Sequence, residues 1–234
     1  MGRWQKVYLE DRRARTSPPS LCAKRAAQLF KQHRKSVILD LGCGAGRDTA
    51  YLAEADLAVI GADVEAAGFA AARQRARGTP ARSAPLSRSA PSSTSASPRR
   101  PLAPSPPRPP AHPLTAFLRA DARMLPFAEA AFEGIYSFGL LHEFTSIDRD
   151  HDIQQVMREI HRILQPNGLL VLAVLSGDFR FGLPDVYLFS EAMFREATKA
   201  FAPIEIKEYE DIGCTGKTDY KVWYGAFMKT GDST

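Results

Sequence analysis

Three alternate glycines directly after an apolar run constrain this chain more than any other feature: Ser36 to Asp48 reads Ser-Val-Ile-Leu-Asp-Leu-Gly-Cys-Gly-Ala-Gly-Arg-Asp. Val37 to Leu41 reads as a strand buried on both faces, and Gly42, Gly44 and Gly46 remove side chains where the backbone must turn tightly into a helix over Arg47 to Glu54. The helix start points unpaired N–H groups at the loop, which suits a polar or anionic ligand lying close to the main chain. A dinucleotide site wants Gly-x-Gly-x-x-Gly with the pyrophosphate on that helix. Here the spacing is Gly-x-Gly-x-Gly, and Asp40 beside the loop repels a pyrophosphate while attracting an ammonium group. A glycine-rich turn with no ligand is the plain alternative.

Asp40-Leu41-Gly42-Cys43-Gly44-Ala45-Gly46 resembles the first motif of class I S-adenosylmethionine-dependent methyltransferases, whose ligand carries an amino-acid head and a sulfonium. The second strand, Leu57 to Ala62, ends in Asp63, about 20 residues past the loop, where a parallel α/β sheet sets a carboxylate against ribose hydroxyls. Capping of a helix over Glu65 to Arg77 is the structural alternative for Asp63. A third strand, Thr115 to Ala120, leads into Asp121-Ala122-Arg123-Met124-Leu125-Pro126-Phe127. In the resembling family the acid in this setting meets the adenine amine and the next backbone N–H meets a ring nitrogen, which carries over to Asp121 and Ala122. The cofactor-binding set the resemblance implies is Asp40, Gly42, Cys43, Gly44, Gly46, Asp63, Val64, Asp121, Ala122 and Ser137, and the cofactor it implies is S-adenosyl-L-methionine.

A fourth strand, Phe132 to Phe138, is followed by Gly139-Leu140-Leu141-His142-Glu143-Phe144. Next to the first strand in a doubly wound sheet, its end faces the crevice where ligands bind, so His142 and Glu143 are the candidate catalytic pair. A hydrogen-bonded wall is the competing role for His142. Methyl transfer from a sulfonium is an in-line displacement with an activated donor, so positioning and water exclusion supply much of the catalysis and no metal is expected. The expected acceptor is a small molecule, since the Asn-Pro-Pro-Tyr type signature of nucleic-acid amino-methylating enzymes is replaced by Ser137-Phe138-Gly139-Leu140. A methyltransferase acting on RNA or protein, or a module that binds the cofactor without catalysis, are the alternatives.

The chain has 234 residues and a formal charge of +5, but residues 78–113 hold five arginines, eleven prolines and no acid. The remainder is formally neutral, with 26 basic and 26 acidic residues, which argues against a nucleic-acid groove on the core. The stretch 78–113 lacks the apolar surface to offset ordering entropy and reads as a disordered insertion in a single domain over 37–230. Residues 1–36 read as a loose basic segment and then a helix from about Ser20 to Gln32, with Ser20 as its cap. In the resembling family such a segment often covers the cofactor. After an amphipathic helix with Ile153, Val156, Met157, Ile160 and Leu164 on one face, Leu169 to Leu175 forms a fifth strand, and Ser176 to Phe189 a candidate substrate lid. Ser190 caps a last helix before two strands, Ile204 to Ile212 and Lys221 to Lys229. The loop between them imitates a phosphate-binding loop, but Asp211 stands where its first glycine belongs and a strand follows where a helix must.

Three scattered cysteines and the lack of an apolar run of about 20 residues suit a reducing cytoplasm and no membrane partner. The expected fold is α/β: a Rossmann-like, doubly wound, seven-stranded, mostly parallel sheet with an antiparallel last strand and helices on both faces.

Overall fold

The computed structural model describes residues 2–78, 115–177, 186–212 and 220–230. The Pro/Arg-rich stretch beyond Gly78, most of the expected lid (178–185) and the loop that imitates a phosphate-binding loop (213–218) lie outside the described residues.

Five strands come from alternation with helices: β1 (Val37–Leu41), β2 (Ala58–Asp63), β3 (Thr115–Arg119), β4 (Phe132–Phe138) and β5 (Leu164–Leu175). A closing hairpin adds β6 (Ala202–Asp211) and β7 (Tyr220–Met228). The sheet order is β3-β2-β1-β4-β5-β7-β6, with β7 antiparallel to both its neighbours. The chain steps outward from β1 through β2 to β3 and then returns to the other side of β1 as β4, so the strand order reverses between β1 and β4. Ligands in such sheets bind outside the carboxyl ends of the strands at that reversal. The edge strand β6 carries Glu205, Lys207, Glu208 and Glu210, charges that discourage another chain from adding a strand there.

Alternation along β1 decides what each helix covers. Leu39 and Leu41 face a cluster closed by α6 (Arg149–Ile163) and α7 (Glu191–Ala197), with Ile153, Val156, Ile160 and Phe194 at its centre. Ile38 faces the opposite cluster, under α3 (Leu21–Gln32) and α4 (Arg47–Glu54). The period of two therefore puts Asp40 on the face of Ile38, toward the start of α4.

The N-terminal segment differs from the expectation of a loose stretch: it forms α1 (Arg3–Glu10) and α2 (Arg12–Thr16). Trp4, Val7 and Tyr8 stand at helical spacing and pack over the glycine loop, and the Asp11 side chain accepts from the Arg13 N–H to start α2. Ser20 caps α3 as expected, accepting from Ala23 N–H at 2.9 Å. Asp211 completes that cap from the far end of β6, accepting from Leu21 and Cys22 N–H at 2.8 Å each. In place of one helix after Asp63, a short 3-10 helix (Ala66–Gly68) leads into α5 (Phe69–Gly78). The helix α6 ends at Ile163, one residue before the expected apolar face runs out, because Leu164 is already paired with Phe132. Among the described residues no helix is long and apolar enough to cross a membrane.

Candidate functional site

The glycine loop is built by backbone angles that side chains resist. Gly42, Gly44 and Gly46 have φ of +81°, +53° and +71°, in the left-handed region where Cβ atoms clash with the following carbonyl. Gly42 N–H donates to Ala62 O at 2.8 Å, which folds the loop over the end of β2. A Cβ on Gly44 would lie 2.6 Å from the Tyr8 hydroxyl, so α1 seats directly on bare backbone. Gly46 serves packing: a Cβ there would lie 2.5 Å from Ala72 Cβ on α5. We expect Gly46→Ala to cost about 2–4 kcal/mol, the sum of left-handed strain and overpacking, read as a lowered urea midpoint at unchanged slope.

Asp40, Gly42, Cys43, Gly44, Asp63, Val64, His142 and Glu143 line one cavity of about 370 Å³. Asp63 bridges the loop to the 3-10 helix: one oxygen accepts from Gly44 N–H at 2.9 Å and the other from Glu65 N–H at 2.8 Å. Each oxygen keeps a lone pair for a further donor. Burial pushes the Asp63 carboxyl up despite those bonds. Asp40 is almost fully buried, and burial raises it to about 8 although the Thr49 hydroxyl donates to it.

His142 and Glu143 occupy a short turn after β4. The Nδ1 of His142 accepts from Leu175 N–H at 3.3 Å, and burial, aided by the Arg3 charge, lowers its pKa to about 3. Glu143 Oε2 accepts from Trp4 Nε1–H at 2.8 Å and lies 3.5 Å from Arg3 Nη1. Burial raises the Glu143 carboxyl, with the Trp4 bond and Arg3 opposing. The roof of the cavity is therefore α1, bolted by Trp4 to a residue 139 positions away.

Four expected site residues lie elsewhere. Gly46 packs against α5, as above. Ser137 is fully buried and donates to Leu41 O at 2.8 Å, holding β4 to the end of β1. Asp121 is bound by Arg123, at 2.7 Å, which also reaches Asp152 at 3.0 Å. That pairing holds the Asp121 carboxyl below the usual range and outside the cavity lining. Ala122 is buried in the apolar cluster around Leu39 and Leu41. In their stead the cavity gains Arg3, Trp4 and Tyr8 from α1, and the pair Arg47 and Asp48 from the start of α4. The expectation of a loose segment missed this roof; the i, i+3, i+4 spacing of Trp4, Val7 and Tyr8 would have marked it as a helix with one apolar face.

A family model described as a methyltransferase domain matches residues 39–172, from β1 through β5 and across this cavity. The chain belongs to that family. The resemblance drawn from Asp40 to Gly46 holds: this is an S-adenosylmethionine-dependent methyltransferase domain with a Rossmann-like sheet. Among curated relatives, the methyltransferase GfsG of Streptomyces halstedii is 31% identical over 138 residues, covering 58% of this chain and 36% of its own. The uncharacterized methyltransferase sll0829 of Synechocystis sp. is 24% identical over 138 residues, 59% of this chain and 46% of its own. The chain thus matches less than half the length of these two. The solved N-methyltransferase NodS of Bradyrhizobium japonicum, in complex with S-adenosyl-L-homocysteine, superposes with a TM-score of 0.63 at 15% identity over 97% of both chains, a likeness of fold.

Proposed function

We propose that the protein transfers a methyl group from S-adenosyl-L-methionine to a small-molecule acceptor. The observation that carries this reading is one roofed cavity that gathers Asp40, the loop at Gly42 and Gly44, Asp63, His142 and Glu143. At about 370 Å³ it stands toward the low end of ligand pockets, with α1 over it, a shape that suits a small acceptor better than a folded RNA or a protein surface.

The residues present fit the cofactor by their chemistry. Two carboxylates, Asp40 and Asp63, suit a ligand bearing an ammonium and ribose hydroxyls, and the loop beside them carries no side chains of its own at Gly42 and Gly44, where Leu140 and the Tyr8 hydroxyl pack. Asp40 would meet the ammonium and Asp63 the ribose hydroxyls. When bound, S-adenosyl-L-methionine supplies an activated methyl group. The protein contributes orientation and water exclusion through α1, and a proton acceptor beside the acceptor site.

Calorimetry with S-adenosyl-L-homocysteine and, separately, NAD tests the reading: the first binds and the second does not. Asp63→Ala removes a charged acceptor and is expected to weaken S-adenosyl-L-homocysteine about 10- to 100-fold, the value of one or two charge-assisted hydrogen bonds. Binding of NAD alone, or an unchanged affinity in Asp63→Ala, overturns it. A screen of small-metabolite extracts for cofactor turnover then separates an enzyme from a module that only binds the cofactor.

A further inference from the structure

The polar groups of the cavity are satisfied unevenly. Glu143 Oε2 has the Trp4 indole N–H and the Arg3 guanidinium beside it, whereas Glu143 Oε1 is buried and has no hydrogen-bond partner among the described residues. A buried carboxylate oxygen left without a donor costs about 1–3 kcal/mol or more, and such groups call for an explanation in a folded protein. His142 does not supply the donor, because its Nε2 stands 3.7 Å away, beyond hydrogen-bonding range.

We propose that the acceptor is a small amine, recognised through an N–H donated to Oε1 of Glu143. This rests on the methyltransferase reading above and names its substrate class. Three features favour nitrogen. First, with Asp40 and Asp63 given to the cofactor, Glu143 is the carboxylate left to the acceptor, and both arginines of the lining are engaged, Arg3 beside Glu143 at 3.5 Å and Arg47 by Asp48 at 3.0 Å. Second, Trp4, Tyr8 and Phe138 line the same space, and the Trp4 and Phe138 rings already hold the Arg3 and Arg47 guanidiniums at 5.1 and 5.3 Å, so this aromatic lining accommodates cations rather than carboxylates. Third, the base available is weak. An alkylammonium loses its proton near 10, as lysine does, while a hydroxyl resembles water at about 15.7, so a carboxylate can relieve the first far more readily than the second.

The pair also divides its labour. With Nδ1 accepting from Leu175 N–H, the neutral His142 carries its hydrogen on Nε2 and offers no lone pair to the cavity. Glu143 is left as the proton acceptor, its carboxyl already raised by burial. In the balanced step, the ammonium first gives up a proton, the lone pair so freed on nitrogen forms the bond to the methyl carbon, and the bond from that carbon to the donor sulfur breaks with its electron pair staying on sulfur. The nitrogen proton passes to Oε1 and then to water.

The test pairs primary and secondary amines, benzylamine and N-methylbenzylamine among them, with benzyl alcohol and benzoate. Each is titrated calorimetrically into the wild-type protein saturated with S-adenosyl-L-homocysteine, and each is assayed for turnover with methyl-labelled cofactor. The amines are expected to bind at least tenfold more tightly than the oxygen analogues, with label found on nitrogen. Glu143→Gln is expected to lower amine binding about tenfold and turnover about 100-fold, with S-adenosyl-L-homocysteine affinity within threefold. Equal or tighter binding of the alcohol or carboxylate, no amine binding, or amine binding unchanged in Glu143→Gln overturns the proposal. The wild-type panel decides even if the variant does not fold. Absence of S-adenosyl-L-homocysteine binding by the wild type would instead sink the methyltransferase reading itself, so the two failures are distinct.

Discussion

Replacing Asp48 with alanine is expected to destabilise the protein by about 3–5 kcal/mol, the usual cost of removing one partner of a buried ion pair. Asp48 is 6% exposed and Arg47 8%. The carboxylate accepts from Arg47 Nε and Nη2 at 3.0 and 3.1 Å, from Ser20 N–H at 2.9 Å, and from the Ser20 and Tyr136 hydroxyls at 2.8 Å each. Without it the Arg47 guanidinium stays buried without its counter-ion, and the start of α3 loses its tie to α4. Urea unfolding of Asp48→Ala, Arg47→Met and the double variant measures the effect, and the double variant should recover much of the loss. The pH dependence has a definite sign. Burial works to raise the Asp48 carboxyl, but Arg47 and the hydrogen bonds outweigh it and the folded value is lowered below 3.8. The group therefore contributes stability that is present above about 3.8 and lost as pH falls through the lower folded value. An Asp48→Ala protein no less stable than the wild type at pH 7 would refute this account.

The second large effect runs the other way. Asp40→Asn is expected to leave stability at pH 7 unchanged or raised, while weakening S-adenosyl-L-homocysteine by about 100-fold, the value of one charge-assisted contact to an ammonium. Burial, the largest cause, holds the folded Asp40 carboxyl at about 8 against 3.8 unfolded. Between those values the folded state keeps a proton that the unfolded chain has released. Its contribution to stability is thus complete below about 3.8 and declines as pH rises, until it is lost above about 8. Asparagine keeps an oxygen for the Thr49 hydroxyl and has nothing to ionise. A bound ammonium favours the ionised carboxylate, so affinity in the wild type should rise with pH up to about 8, with proton release visible by calorimetry in buffers of different ionisation enthalpy. A pH-independent affinity, or a fall in melting temperature for Asp40→Asn at pH 7, would remove the role given to Asp40.

Much of the fold was legible because its determinants are local. Val37 to Leu41 and Arg47 to Glu54 follow from an apolar run, three glycines and a helix start, all within 20 residues. Asp63, His142 and Glu143 reach the cavity because parallel topology sends the strand ends to one pole, a consequence of connection rules. What escaped depends on distance in sequence. The bond between Trp4 and Glu143 has no local pattern to announce it, and neither does the contact of Gly46 with Ala72. The pairing of Asp121 with Arg123, two residues on, escaped as well, although it is local in sequence.

The placement of β3 bears on how this protein can change. Among the described residues it is an edge strand with β2 as its one neighbour. Its first residue, Thr115, and the last of α5, Gly78, both lie at the pole opposite the strand ends that carry Asp40 and Asp63. Chain length added or removed between these two points is expected to leave the register of the other strands and the cavity unchanged, read as an unchanged melting temperature and S-adenosyl-L-homocysteine affinity. That pole is a natural port for grafting a reporter or an affinity handle into the middle of the chain, and for lineages to gain or lose sequence while the chemistry at the far end stays intact.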